Sequence, residues 1–235
     1  FKVVVTETAL PNESIIENLK LISEETLMTV TAAQVKELRE RTGAGMLDCK
    51  KALQEADGDF AKAEEALKKK GLATAAKKSS RIATEGIVEA YIHMGGKLGI
   101  IVEVNCETDF VARRSEFQEL ARNIAMQIAA CPQVQYINAA DIPPEIAERE
   151  KKIEMEKDDL GNKPVEIKEK IVEGRIQKKL KEMVLLEQAF IRDSSMTIEE
   201  LVKKNISTLG ENIQIRRFER FVLGEGLEKK NENFS

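Results

Sequence analysis

The residues best placed to do something unusual sit at a corner. The stretch LGIIVEVNCETDFVARRSEF carries an apolar strand out into Thr108, Asp109, Phe110 and Val111 and reaches a helix at Ser115. Turn chemistry at such a corner favours Gly, Asn, Pro and Ser, so an acid followed by an aromatic asks for another reason. The pair has little intrinsic reactivity but a clear binding capacity: the ring offers apolar area and the carboxylate offers charge. Two readings fit. Phe110 folds back to cap the sheet core, or it stands out as a wedge held by a rigid strand and a rigid helix, the way binding hot spots are mounted. Spacing alone leaves both open.

Bond-breaking chemistry has few other candidates. The one histidine, His93, lies beside a predicted hairpin turn and reads as an ordinary edge residue. The chain contains no P-loop, GxGxxG, GxSxG or HExxH pattern, and its many acids follow the spacing of helical surface pairs. Cys106 falls on the apolar face of its strand, which suits a buried structural thiol better than a nucleophile. The three cysteines, Cys49, Cys106 and Cys131, have no CxxC spacing, which argues against a disulfide framework or a zinc site and for a reducing compartment. The net charge of −4 gives no electrostatic support for general nucleic-acid binding. No apolar run approaches the ~18–20 residues of a membrane span. The expectation is a binding protein rather than an enzyme, with no catalytic residue, metal or cofactor of its own and no membrane association.

The elements that position the corner are legible as an α+β chain. Residues 1–28 open on Phe1 rather than Met and read as an extension of unknown role, a leader or the tail of something upstream; they are acidic and unlike a transit peptide. Residues 29–70 carry three short helices. Thr31–Gln34 forms a capping box with Val30 and Val35 as its staple, Gly43 and Gly45 stop the first helix, and Met46, Cys49 and Leu53 stripe the second. Asp59 is placed to cap the third. Residues 71–85, with six basic residues between Lys68 and Arg81, read as a linker, extended or partly helical, and as either a solvated connector or a contact for an acidic partner.

An antiparallel-sheet core is predicted over 86–224. Two alternating runs flank Gly95-Gly96, a hairpin signal, and Leu98, Ile100, Val102 and Val104 share the inner face. Ser115–Gln118 looks like a capping box for a helix striped by Phe117, Leu120, Ile124 and Ile128. Residues 143–186 form a helical hairpin turning at Asp159–Pro164, either projecting towards another protein or lying over the sheet. Thr197 caps a further helix closed near Gly210. The final strand changes phase between Ile215 and Phe218, predicting a bulge at Arg216 or Arg217. Residues 225–235 are a tail.

Three blocks in this order, LRERTGAGMLDCKKAL, GIIVEVNCETDFVARRSEF and LGENIQIRRF, closely resemble the elongation factor Ts family, over about Thr31 to Lys230. SSRIATEG, EAYIHMGGK and IAMQIAACP resemble its cyanobacterial and plastid branch. The resemblance implies a guanine-nucleotide exchange factor whose partner is elongation factor Tu, located in a plastid stroma or a bacterial cytoplasm. It implies that the first helices form a ubiquitin-associated-like (UBA-like) domain whose contacts on the GTPase match Arg39, Met46 and Leu47. It implies that Thr108, Asp109, Phe110 and Val111 are the exchange wedge, working near the GTPase Mg²⁺ and phosphate site, and that the helical hairpin is a projecting coiled coil. Longer members carry two copies of the sheet core; the single copy here implies the short form, which dimerises. The residues before Met28 fall outside the family pattern as read from these blocks. The rival reading, a nucleic-acid-binding module, rests only on the lysine-rich stretch.

Overall fold

Thr31 opens the first helix in the way its spacing predicts. In the computed structural model, which describes residues 30–157 and 164–227, its Oγ1 accepts the Gln34 N–H at 3.2 Å and the Gln34 side chain accepts the Thr31 N–H at 2.9 Å. The extension expected over 1–28, nearly all of the hairpin turn and most of the C-terminal tail lie outside the described residues. The chain divides into two compact units between Lys70 and Gly71.

In the first unit, α1 (Ala32–Thr42) ends at Gly43, which takes a φ of 72° and donates its N–H to Arg39 O. A β-carbon is strained in that conformation, so glycine is the residue that closes the helix there. Helix α2 (Met46–Glu55) follows, and Asp59 Oδ1 accepts the Lys62 N–H at 3.1 Å to start α3 (Phe60–Lys78). The apolar stripes meet in a small core of Val35, Leu38, Cys49, Ala52, Leu53, Ala63 and Leu67. A core this thin leaves little stability to lose.

Residues 71–85, expected as a linker, are helical as far as Lys78. The cause is in GLATAA: alanine is the best helix former, and small side chains let a helix approach its neighbours closely. Ala75 is buried in the core of the second unit, and a β-carbon on Gly71 would meet the Ser207 side chain at 3.4 Å. Lys78 Nζ donates to Gly210 O, and just before the stretch Lys69 pairs with Glu65 and Lys70 with Asp48.

The second unit is built on a three-stranded antiparallel sheet whose central strand lies between its hairpin partner and the last strand of the chain's described residues. Strands β1 (Glu85–Ile92) and β2 (Leu98–Cys106) form the hairpin predicted at Gly95-Gly96, where both glycines have positive φ. Ile100, Val102, Val104 and Cys106 are fully buried and pack with Phe117, Leu120, Ile124 and Ile128 of α5 (Ser115–Ala130). Between them lies α4 (Asp109–Ala112), a single turn. The capping box expected at Ser115 does not form. Arg114 is the N-cap residue of α5, and the Ser115 hydroxyl donates to Glu116 instead. The chain is already helical at α4, so Thr108 has done the capping several residues earlier, its Oγ1 accepting the Val111 N–H.

Beyond α5, Tyr136 makes one parallel bridge to Val184, and α6 (Pro144–Met155) and α7 (Val165–Met183) form the helical hairpin. Glu150 pairs with Lys179 and Glu154 with Arg175, a descending match that makes the helices antiparallel. Their Val172 and Ile176, with Ile171 and Leu180, form an apolar cluster separate from the sheet core. A small two-stranded sheet that the sequence did not suggest, β3 (Ala189–Phe190) and β4 (Asp193–Thr197), leads into α8 (Ile198–Leu209), whose Thr197–Glu200 capping box is present. Strand β5 (Gln214–Val222) then pairs with β2. The register steps from Glu103↔Arg217 to Val104↔Ile215, leaving Arg216 as the extra residue of the predicted bulge. Both arginines therefore reach one carboxylate: Arg216 and Arg217 donate to Glu103 at 2.8 and 2.7 Å. These two guanidinium groups hold the Glu103 carboxyl down at about 2.

Candidate functional site

The corner is built from the end of β2. Thr108 keeps an extended conformation at φ −133° and Asp109 begins one turn of helix. Successive residues of a helix point about 100° apart. With Val111 and Ala112 buried in the sheet core, Phe110 is turned outward, and it is 79% exposed. The two readings of the corner are thereby separated. Phe110 does not fold back; its neighbours hold the turn down and leave the ring outside. Asp109 is also at the surface, where the Arg113 guanidinium donates to its Oδ2 at 2.8 Å, one helical turn on.

The corner is held from beneath by residues that no local pattern indicates. The Glu211 carboxylate accepts the Glu107 N–H at 3.1 Å, the Thr108 N–H at 3.0 Å and the Thr108 hydroxyl at 2.6 Å. In return, Glu107 Oε1 accepts the Asn212 N–H at 2.6 Å. The buried Asn212 side chain donates to Arg81 O at 2.7 Å and to Ser79 O at 3.4 Å, at the end of α3. In the sequence, Glu211 and Asn212 stand in the LGENIQIRRF block, directly after Gly210 at the end of α8. Nothing local relates that run to a corner more than 100 residues earlier in the chain.

Two side chains with reactive potential, Cys106 and His93, have ordinary surroundings. The Cys106 thiol donates to Thr108 O at 3.1 Å, and burial, reinforced by the Glu211 charge, pushes it up to about 11. That keeps it a neutral thiol at physiological pH. His93 lies at the exposed hairpin within hydrogen-bond distance of the Tyr91 hydroxyl, 3.1 Å. Among the described residues, no group of three or more His, Cys, Asp or Glu side chains is arranged to hold a metal ion.

In the first unit, Arg39, Met46 and Leu47 flank the Gly43–Gly45 turn, Arg39 near the end of α1 and the other two at the start of α2. All three are exposed, Met46 at 45% and Leu47 at 83%. Met46 and Leu47 are adjacent in sequence and both present apolar side chains to water at the start of α2. The structure thus holds two separate candidate contact sites, one on each unit.

Known proteins similar to this chain are elongation factor Ts proteins. The elongation factor Ts of the Guillardia theta chloroplast is 73% identical over 206 residues, covering 88% of this chain and 94% of that protein. The chloroplastic elongation factor Ts of Rhodomonas salina matches equally well, with 73% identity over the same shares. The elongation factor Ts of the bacterium Rippkaea orientalis is 64% identical, covering 88% of this chain and 83% of its own. The family match begins at residue 11, well before the Thr31 read from the three blocks, so part of the stretch expected to fall outside the family lies within it. With the family model for elongation factor TS matching residues 11–225, the chain belongs to the elongation factor Ts family.

Proposed function

We propose that this chain promotes release of GDP from elongation factor Tu during translation, in a plastid stroma or a bacterial cytoplasm, with Phe110 as its wedge. The observation that carries this is the 79% exposure of an aromatic ring on an anchored turn. Exchange is a coupling between two binding events: a factor that binds the GTPase better without GDP·Mg²⁺ than with it must weaken nucleotide binding by the same factor. Burying one phenylalanine in the partner is worth ~1.5–3 kcal/mol, and each ~1.4 kcal/mol is tenfold in affinity. Phe110 alone therefore loosens nucleotide by roughly one to two orders of magnitude. Asp109 rides on the same turn and brings its charge towards the Mg²⁺ and phosphate site, where Val111 and Thr108 act as the footing. Arg39, Met46 and Leu47 hold the GTPase while the wedge acts. The chain breaks no bond and uses no cofactor. The test is the release of a fluorescent GDP from elongation factor Tu with and without this chain. The reading expects acceleration; equal rates reject it.

The same reading includes a homodimer. The outward face of the three-stranded sheet carries Val88, Ile92, Ile101 and Phe221, all exposed. The register places Ile92, Gly99 and Phe221 in one row and Ala90, Ile101 and Glu219 in the next. A second copy meeting this face buries both apolar sets at once. Sedimentation of Ile101→Glu against the wild type tests it: the wild type should run as a dimer and the variant as a monomer, and a monomeric wild type rejects the assembly.

A further inference from the structure

We propose that Glu211 is a positioning residue for the Phe110 wedge, acting through the Thr108 hydroxyl; this rests on the exchange reading above. The need for such a residue follows from the size of α4. A helix of four residues makes too few internal hydrogen bonds to offset its own nucleation, so its orientation comes from what holds its ends. The inner side is held by Val111 and Ala112 in the sheet core. The leading end is held by Glu211, and the geometry there is directional.

One carboxylate oxygen of Glu211 takes both backbone amides, of Glu107 and Thr108, and the other takes the Thr108 hydroxyl proton at 2.6 Å. A hydroxyl has one proton. With that proton committed to Glu211, a Thr108 lone pair is left facing the Val111 N–H, 3.4 Å away. Glu211 thus sets the rotor that caps α4, and α4 sets the direction of Phe110. The return bond from the Asn212 N–H to Glu107 closes the clasp, so the strand end and the segment after α8 cannot slide apart without losing both acids' partners. A wedge that pushes on a partner is pushed back. If its base yields, the strain is taken up in the factor and never reaches the GTPase.

The experiment measures the rate of GDP release from elongation factor Tu as a function of factor concentration, for wild type, Phe110→Ala, Glu211→Ala, Thr108→Val and the Glu211→Ala/Phe110→Ala pair, with thermal unfolding of each. Misplacing a positioned group by about 1 Å costs up to about a hundredfold. Glu211→Ala should therefore lower the maximal release rate by roughly tenfold to a hundredfold while the half-saturating concentration moves far less. Thr108→Val, which exchanges the hydroxyl for a methyl group and leaves the backbone amides to Glu211, should show a smaller loss in the same direction and keeps the test alive if Glu211→Ala does not fold. Because Glu211 acts through the turn that carries Phe110, Glu211→Ala should cost much less in the Phe110→Ala background than in the wild type, the remainder being the share carried by Asp109 on the same turn. A full rate with Glu211→Ala and with Thr108→Val, beside a slow Phe110→Ala, overturns this role and leaves the exchange reading standing. Losses that multiply in the double variant also overturn it, since they mark a general structural role. A full rate with Phe110→Ala overturns the exchange reading and this role with it.

Discussion

Truncating Leu47 separates anchoring from wedging. The side chain is 83% exposed in the free protein, so Leu47→Ala removes almost nothing from the fold. In the complex, by contrast, it removes three carbons that the partner would cover. At ~0.8 kcal/mol per buried carbon, complete coverage is worth about 2.4 kcal/mol and half coverage about 1.2 kcal/mol. Converted at ~1.4 kcal/mol per factor of ten, these are losses of roughly fiftyfold and sevenfold in affinity. An anchor is gripped equally before and after the nucleotide leaves, and such uniform binding alters affinity without altering the maximal rate. Titration calorimetry against elongation factor Tu should show the weakened binding, and saturating stopped-flow measurements should show the full release rate. An affinity within twofold of wild type would refute the contact. A reduced maximal rate at saturation would refute the division of labour between the two units.

The remaining predictions concern the scaffold. Glu103 has its folded pKa depressed to about 2 by Arg216 and Arg217, so its contribution is present above the ordinary glutamate range and is lost as pH falls through 4.5 towards 2. Thermal unfolding between pH 6 and pH 2 should show Glu103→Gln already lacking that increment at neutral pH and losing less on acidification. A wild-type acid limb in the variant would count against the bulge as the source. Leu53→Ala empties a fully buried position in the small first-unit core, at a cost of about 2–5 kcal/mol. Circular dichroism should show helix loss at a lower temperature than in the wild type, and an unshifted transition would mean that this core matters less than its burial suggests.

What the sequence disclosed, and what it hid, follows the range of the interactions involved. Thr31, Thr197 and Gly95-Gly96 act on residues three or fewer positions away, and each forms the cap or turn that its spacing predicts. The bulge was visible because Arg216 breaks a period of two. Ser115 had the right spacing and still did not cap, because a helical turn already stood in front of it. Gly71 and the lysines around it mimic a linker, since the packing of Gly71 near Ser207 and of Ala75 in the core leaves no local trace. Strand β4, Asp-Ser-Ser-Met-Thr, has no apolar alternation to announce it. Phe110 stood between two readings until its neighbours' burial turned it outward. Glu211 was invisible because its three donors come from residues 103 and 104 positions away.

The central claim is that one exposed ring does the prising. Its most direct test is the maximal rate of GDP release from elongation factor Tu at saturating factor, wild type against Phe110→Ala. Loss of ~1.5–3 kcal/mol of burial predicts a slowing of roughly tenfold to a hundredfold, with the variant as stable as the wild type. Equal maximal rates would contradict the account.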